Sequence, residues 1–141
     1  APLADAARLP DSARAILAED LVSDGLPGPA AAVLEGFRSH WVTRIFSAAE
    51  ARCTHHPIEG SGWEDLAQTL DASLPQIPAH ERFRCEVTLA RLRLHTHDVE
   101  DARVALRRLT MRALEEGERP RLYMLFLAVI DAAEGQLSRP Q

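Results

Sequence analysis

V-T-L-A-R-L-R-L-H-T-H-D-V-E-D-A-R-V-A-L-R-R-L, residues Val87 to Leu109, decides the reading of this chain. Phe83, Val87, Ala90 and Leu94 recur at three- and four-residue steps, which is the inner stripe of a helix expected over about Ala79 to Thr96. Asp98 then caps a second helix, whose stripe is Val99, Ala102, Leu106, Leu109 and Ala113 and whose stop is Gly117. The wider stretch from Glu81 to Gln136 continues as helix, short turn, helix. Helices joined by tight turns in this way stack into binding surfaces and are not built around a catalytic centre.

Working outward, Pro120 suits the first turn of a last helix. Leu122 to Ile130 is apolar nearly all round and so expects neighbours on more than one side. Toward the N-terminus, Ser61-Gly62-Trp63-Glu64 reads as a capping box. It opens a helix that turns Trp63, Leu66, Ala67, Leu70 and Leu74 inward and ends at Pro75 and Pro78. Leu34, Phe37, Trp41, Ile45 and Ala48 form one stripe, which predicts a long helix from about Ala30 to Cys53, weakened at Gly36 by about 1 kcal/mol. S-D-G-L-P-G-P, Ser23 to Pro29, is punctuation. Asp11 and Ser12 cap a short first helix to about Val22, with Ile16, Leu17 and Leu21 as its apolar contacts. Trp41 and Trp63 are core anchors.

No strand signal interrupts this pattern, and composition agrees. Hydrophobic residues make up 46% of the 141 residues and aromatics only 5%, with Ala and Leu dominant, which favours helix over sheet. The length fits one domain. Net charge is −5, with Arg as the sole basic residue besides His, so the chain as a whole is not a polyanion binder. No signal peptide and no apolar run of membrane length is present, and a cytoplasmic location is expected. Cys53 and Cys85 share no spacing motif and are expected to be free buried thiols, with a disulfide left open. The chain begins at Ala1 rather than Met, which fits a processed or excised fragment.

Three junctions resemble one another: G-W-E-D-L at Gly62, D-V-E-D-A at Asp98 and G-Q-L-S-R-P at Gly135. Their bulky residues Trp63, Val99 and Leu137 give spacings of about 36 and 38 residues, inside the range for helical-pair repeats. Leu89-Ala90, then Asp98-Val99-Glu100-Asp101-Ala102, then Leu106, resembles the tetratricopeptide (TPR) repeat: a large-small pair in helix A, a turn, and Ala in helix B. More narrowly, residues 89–109 followed by A-L-E-E-G look like the repeats of MalT-like (LuxR-type, ATP-dependent) bacterial transcription regulators. The resemblance covers residues 81–117, extends back to Gly62 and out to Gln136, and is absent before Ala48. Arg93 stands where an aliphatic or aromatic residue is usual, His97 where Gly is common, and Pro140 at a small-residue position.

The resemblance implies an all-α fold of antiparallel helix pairs stacked as a TPR-like α-solenoid of about six helices. Residues 1–60 would be N-terminal helices and residues 61–141 the repeats, the last incomplete; a homodimer could cover its open face. It also implies a sensor of an inducer or a protein partner, in a protein whose ATPase and DNA-binding parts lie elsewhere. On the polar face of the Ala79–Thr96 helix, Arg84, Thr88, Arg91 and His95 fall at helical spacing. Under the repeat alignment Arg84, Arg91 and His95 line the concave groove, where an arginine can grip a carboxylate with two parallel hydrogen bonds.

Other constellations are weaker. Cys53, His55, His56, His95, His97 and Asp98 lack the paired spacings of a zinc site, and no metal or cofactor is expected. Cys53 and His55 lack an orienting residue or an oxyanion element, so an enzyme is not expected. Glu100, Glu115 and Glu116 lie three or four residues from some of Arg103, Arg107, Arg108 and Arg112 and can pair with them, and no aromatics interleave, so this segment is not expected to touch nucleic acid. The alternative function is a small stand-alone TPR-like chaperone that covers an apolar helix of a client. A reading frame that continues past Gln141 would favour the regulator; a stop there would favour the chaperone.

Overall fold

The computed structural model describes residues 5–56, 58–94 and 99–115. Six α-helices lie among them: α1 (Asp11–Ser23), α2 (Pro27–Val33), α3 (Thr43–His55), α4 (Trp63–Ala72), α5 (Ala79–Leu94) and α6 (Val99–Glu115). The described residues contain no strand, and the chain is all-α as its composition required. The helix expected from Pro120 onward, the stop at Gly117 and the junction at Gly135 lie outside the described residues.

α1 begins directly after Pro10, and Asp11 and Ser12 belong to its first turn rather than capping it. Its inner face is the small-residue row Ala15, Ala18 and Val22, with Leu17 and Leu21 partly buried beside it. Ile16, expected inside, is 44% exposed, because one residue along a helix is a turn of about 100° away from that row. The helix closes in a Schellman motif around Gly25 (φ 77°). The Leu26 amide donates to the Leu21 carbonyl at 2.8 Å and the Gly25 amide to that of Val22 at 3.0 Å.

The chain then re-enters a helix sooner than expected. Pro27 occupies the first turn of α2, where its missing N–H is no loss. The single long helix expected over Ala30 to Cys53 is two helices. α2 ends at Val33, Gly36 takes the left-handed conformation (φ 71°), and a 3-10 turn at His40–Val42 leads into α3. The Ser39 hydroxyl accepts from the Trp41 amide at 3.3 Å and so holds that restart. Leu34, Phe37 and Ile45 are buried as the stripe required, while Trp41 and Ala48 are partly buried.

Three arginines stabilise these joints by donating to helix-end carbonyls. Arg14 bonds the Val33 carbonyl at 2.6 Å and that of Glu35 as well, with its guanidinium over the Phe37 ring. Arg52 bonds the Ser23 carbonyl at 3.1 Å, and Arg82 that of Ile77 at 2.9 Å. Planar five-donor side chains suit this role better than lysine would.

α4 starts at Gly62, not in a capping box. Its N-cap makes no side-chain hydrogen bond, and Gly62 sits at φ 100°. A Cβ there would lie 2.5 Å from the Gly28 nitrogen and 2.9 Å from its Cα, so two glycines let the starts of α2 and α4 touch. Trp63 is a core anchor: it is buried, and its indole N–H donates to the Glu59 carbonyl at 3.0 Å.

The close helix contacts join α1 to α2, α4 to α5 and α5 to α6, and also join alternate helices, α1 to α3, α2 to α4 and α3 to α5. α5 therefore lies between two apolar clusters. Cys85, Leu89 and Leu92 belong to the larger one, with α1 to α4. Val87 and Ala90 join Leu106 and Leu109 of α6 in the smaller one, with Phe83 and Leu94 packed against it. Periodicity gave only the second of these faces.

Candidate functional site

The polar row of α5 runs along α3. Arg84 donates to both carboxylate oxygens of Glu50, from Nε at 3.1 Å and from Nη2 at 3.3 Å. This pair holds the guanidinium charged, with its pKa above the ordinary arginine value, and ties α5 to α3. Thr88 is 2% exposed and its hydroxyl donates back to the Arg84 carbonyl at 3.2 Å, so it faces the packed interior. Arg91 is half-buried, close enough to α3 for its charge to act on the Cys53 thiol. His95 lies outside the described residues, as do His97 and Asp98. The structure thus brings Arg84 and Arg91 to one helix seam, with Glu50 already seated on Arg84.

Both cysteines are free thiols, Cys85 buried and Cys53 partly so. Burial pushes Cys53 up to about 11 despite the nearby Arg91, with Glu50 adding to the rise. Burial pushes Cys85 up to about 12, with Glu81 adding to it. Thiols held neutral in this way are poor nucleophiles and poor metal ligands near neutral pH.

A different surface is open. The end of α4, α5 and α6 enclose a cleft of about 310 Å³. Its floor is apolar: Leu74, Leu89, Ala90, Ala105 and Leu109. Its rim is charged. At one end Arg112 pairs with Glu86 at 2.9 Å, and Arg112 also lies over the Phe83 ring. At the other end Arg93 pairs with Asp71 at 3.4 Å. Arg108 lines the cleft between them, is exposed, and has no ion-pair partner among the described residues.

Sequence reading missed this cleft. It paired some of the α6 arginines with acids on their own helix, which holds for Arg103 with Glu100 at 4.0 Å. Arg112 instead reaches 26 residues back to Glu86. The available signal was Arg93, at a position where the tetratricopeptide pattern that the sequence resembles usually has an aliphatic or aromatic residue. On the outer face of α6, Val104, Met111 and Leu114 are exposed at steps of seven and three residues.

No protein-family model, curated protein or solved structure matches the chain. No helix among the described residues is long and apolar enough to cross a membrane.

Proposed function

We propose that this chain is a non-catalytic ligand- or protein-interaction domain, the sensor region of a bacterial transcription regulator of the MalT-like kind. The residues that resemble a TPR unit, Leu89-Ala90 and Asp98 to Ala102 with Leu106, support the family reading. The observation that carries the binding reading is the cleft of α4, α5 and α6. It pairs an apolar floor with an arginine that has no acid of its own among the described residues, the usual make-up of a site that orients a ligand by a few polar groups. Arg84 and Arg91 are the second candidate face, with the carboxylate of Glu50 standing where a partner's acidic group would bind; Thr88 is buried and takes no part in it.

The chaperone reading draws on a different observation, the exposed apolar face of Val104, Met111 and Leu114 on α6. Capture from an extract of the native cell separates these readings. The parent chain is run beside Arg93→Glu/Arg108→Glu, Arg84→Glu/Arg91→Glu and Met111→Glu/Leu114→Glu. A partner lost only with the first variant supports the cleft, and one lost only with the second restores the α5 row. Loss only with the third supports the chaperone. A partner retained by all three contradicts each of these faces.

A further inference from the structure

We infer that the cleft takes a small monocarboxylate with an apolar body, the chemistry of a medium-chain alkanoate, and that Arg108 holds its charge. This deepens the interaction reading above and rests on it.

Charge decides the class of ligand. Three arginines face two acids around the rim, and both acids are engaged, Glu86 by Arg112 and Asp71 by Arg93. The two pairs neutralise themselves, which leaves the Arg108 guanidinium without a paired acid among the described residues. One guanidinium matches one carboxylate, with two parallel hydrogen bonds. A phosphate dianion would need further donors, and a cation would meet Arg108 with no free acid among the described lining residues. Position agrees with charge. Arg108 stands one turn from Arg112 and one turn from Ala105 on the α6 face that lines the cleft, so it lies between the two ion pairs.

The floor decides the rest of the ligand. Leu74, Leu89 and Leu109 supply apolar contact, and Ala90 and Ala105 leave the space that larger residues would fill. A volume of about 310 Å³ lies at the lower end of the range for small-molecule sites. That excludes an extended cofactor and suits a chain of several methylenes, each of which stabilises binding as it leaves water.

The test is a ¹H–¹⁵N NMR titration of the whole chain with octanoate, octanol and octylammonium. Saturable shifts at the Leu89 and Leu109 amides with octanoate are expected, at least tenfold weaker with the other two. Arg108→Ala and the longer Arg108→Gln are each expected to weaken octanoate about tenfold or more and to leave octanol unchanged. Arg107→Ala, one position off the cleft, is expected to change nothing, and a dispersed amide spectrum in every variant verifies the fold. The inference is overturned if octanoate does not saturate, if octanol binds equally well, or if Arg107→Ala weakens octanoate as much as Arg108→Ala. A chain that captures a partner but does not bind octanoate overturns this inference alone. A chain that binds octanoate while capture is lost only with Arg84→Glu/Arg91→Glu supports it and moves the protein partner to the α5 row.

Discussion

Arg84 on α5 and Glu50 on α3 meet as fork and carboxylate, with separations of 3.1 Å and 3.3 Å. The Arg84 side chain is 70% exposed and that of Glu50 24%. Solvent screening limits an ion pair of this kind to about 0.2–1 kcal/mol. A double-mutant cycle of Arg84→Ala and Glu50→Ala, read by urea denaturation, should give a coupling in that range. It should shrink further in high salt. A coupling of several kcal/mol would mean that the seam between α3 and α5 is held mainly by charge. The burial of Cys85, Leu89 and Leu92 argues against that.

Two left-handed glycines separate backbone strain from crowding. Gly36 (φ +71°) has no atom within 4 Å of a would-be Cβ, so Gly36→Ala meets only the backbone penalty, about 1–2 kcal/mol. Gly62 (φ +100°) has the Gly28 backbone nitrogen at 2.5 Å from that position. Gly62→Ala should therefore be the more damaging, by about 1–3 kcal/mol beyond Gly36→Ala. Thermal unfolding of both variants measures the difference, and equal losses would contradict the close approach of Gly62 to Gly28.

The thiols predict an alkaline limit. Both fold neutral, with pKa values raised from 9.0 to about 11 at Cys53 and about 12 at Cys85. Above about pH 9 the unfolded chain therefore holds fewer protons than the folded one, and stability falls with rising pH. The contribution is complete below about pH 9 and is lost as pH climbs through 11 and 12. The denaturation midpoint should decline over that window, and less so in Cys53→Ala/Cys85→Ala. Alkylation by iodoacetamide at neutral pH should be slow in the folded chain and fast in denaturant. Rapid labelling of the native chain would contradict the burial of Cys85.

The inner stripe of α6 was legible because Ala102, Leu106, Leu109 and Ala113 share one helix, whose close neighbour among the described helices is α5. The division of α2 from α3 was not. Leu34, Phe37 and Ile45 keep helical spacing across the break, and the interruption at Gly36 preserves it by chance of turn length. Gly36 read as a weak point inside one helix and Gly62 as part of a capping box, and only the positive φ at each and the contact of Gly62 with Gly28 show what they are for. The polar row of α5 was found as a row. Its burial at Thr88 and its occupation by Glu50 depend on α3, 34 residues away in sequence at the Arg84–Glu50 contact. The cleft needed three helices at once, and its ion pairs Arg112–Glu86 and Arg93–Asp71 join residues that no local spacing rule connects.

The most direct measurement of the central claim is hydrogen–deuterium exchange of the full chain, alone and with a partner captured by the parent. Added protection is expected over residues 86–93 and 105–112, the two sides of the cleft, with α1 and α2 unchanged. Protection confined to α1 and α2, or none on the α5 and α6 segments, would contradict it.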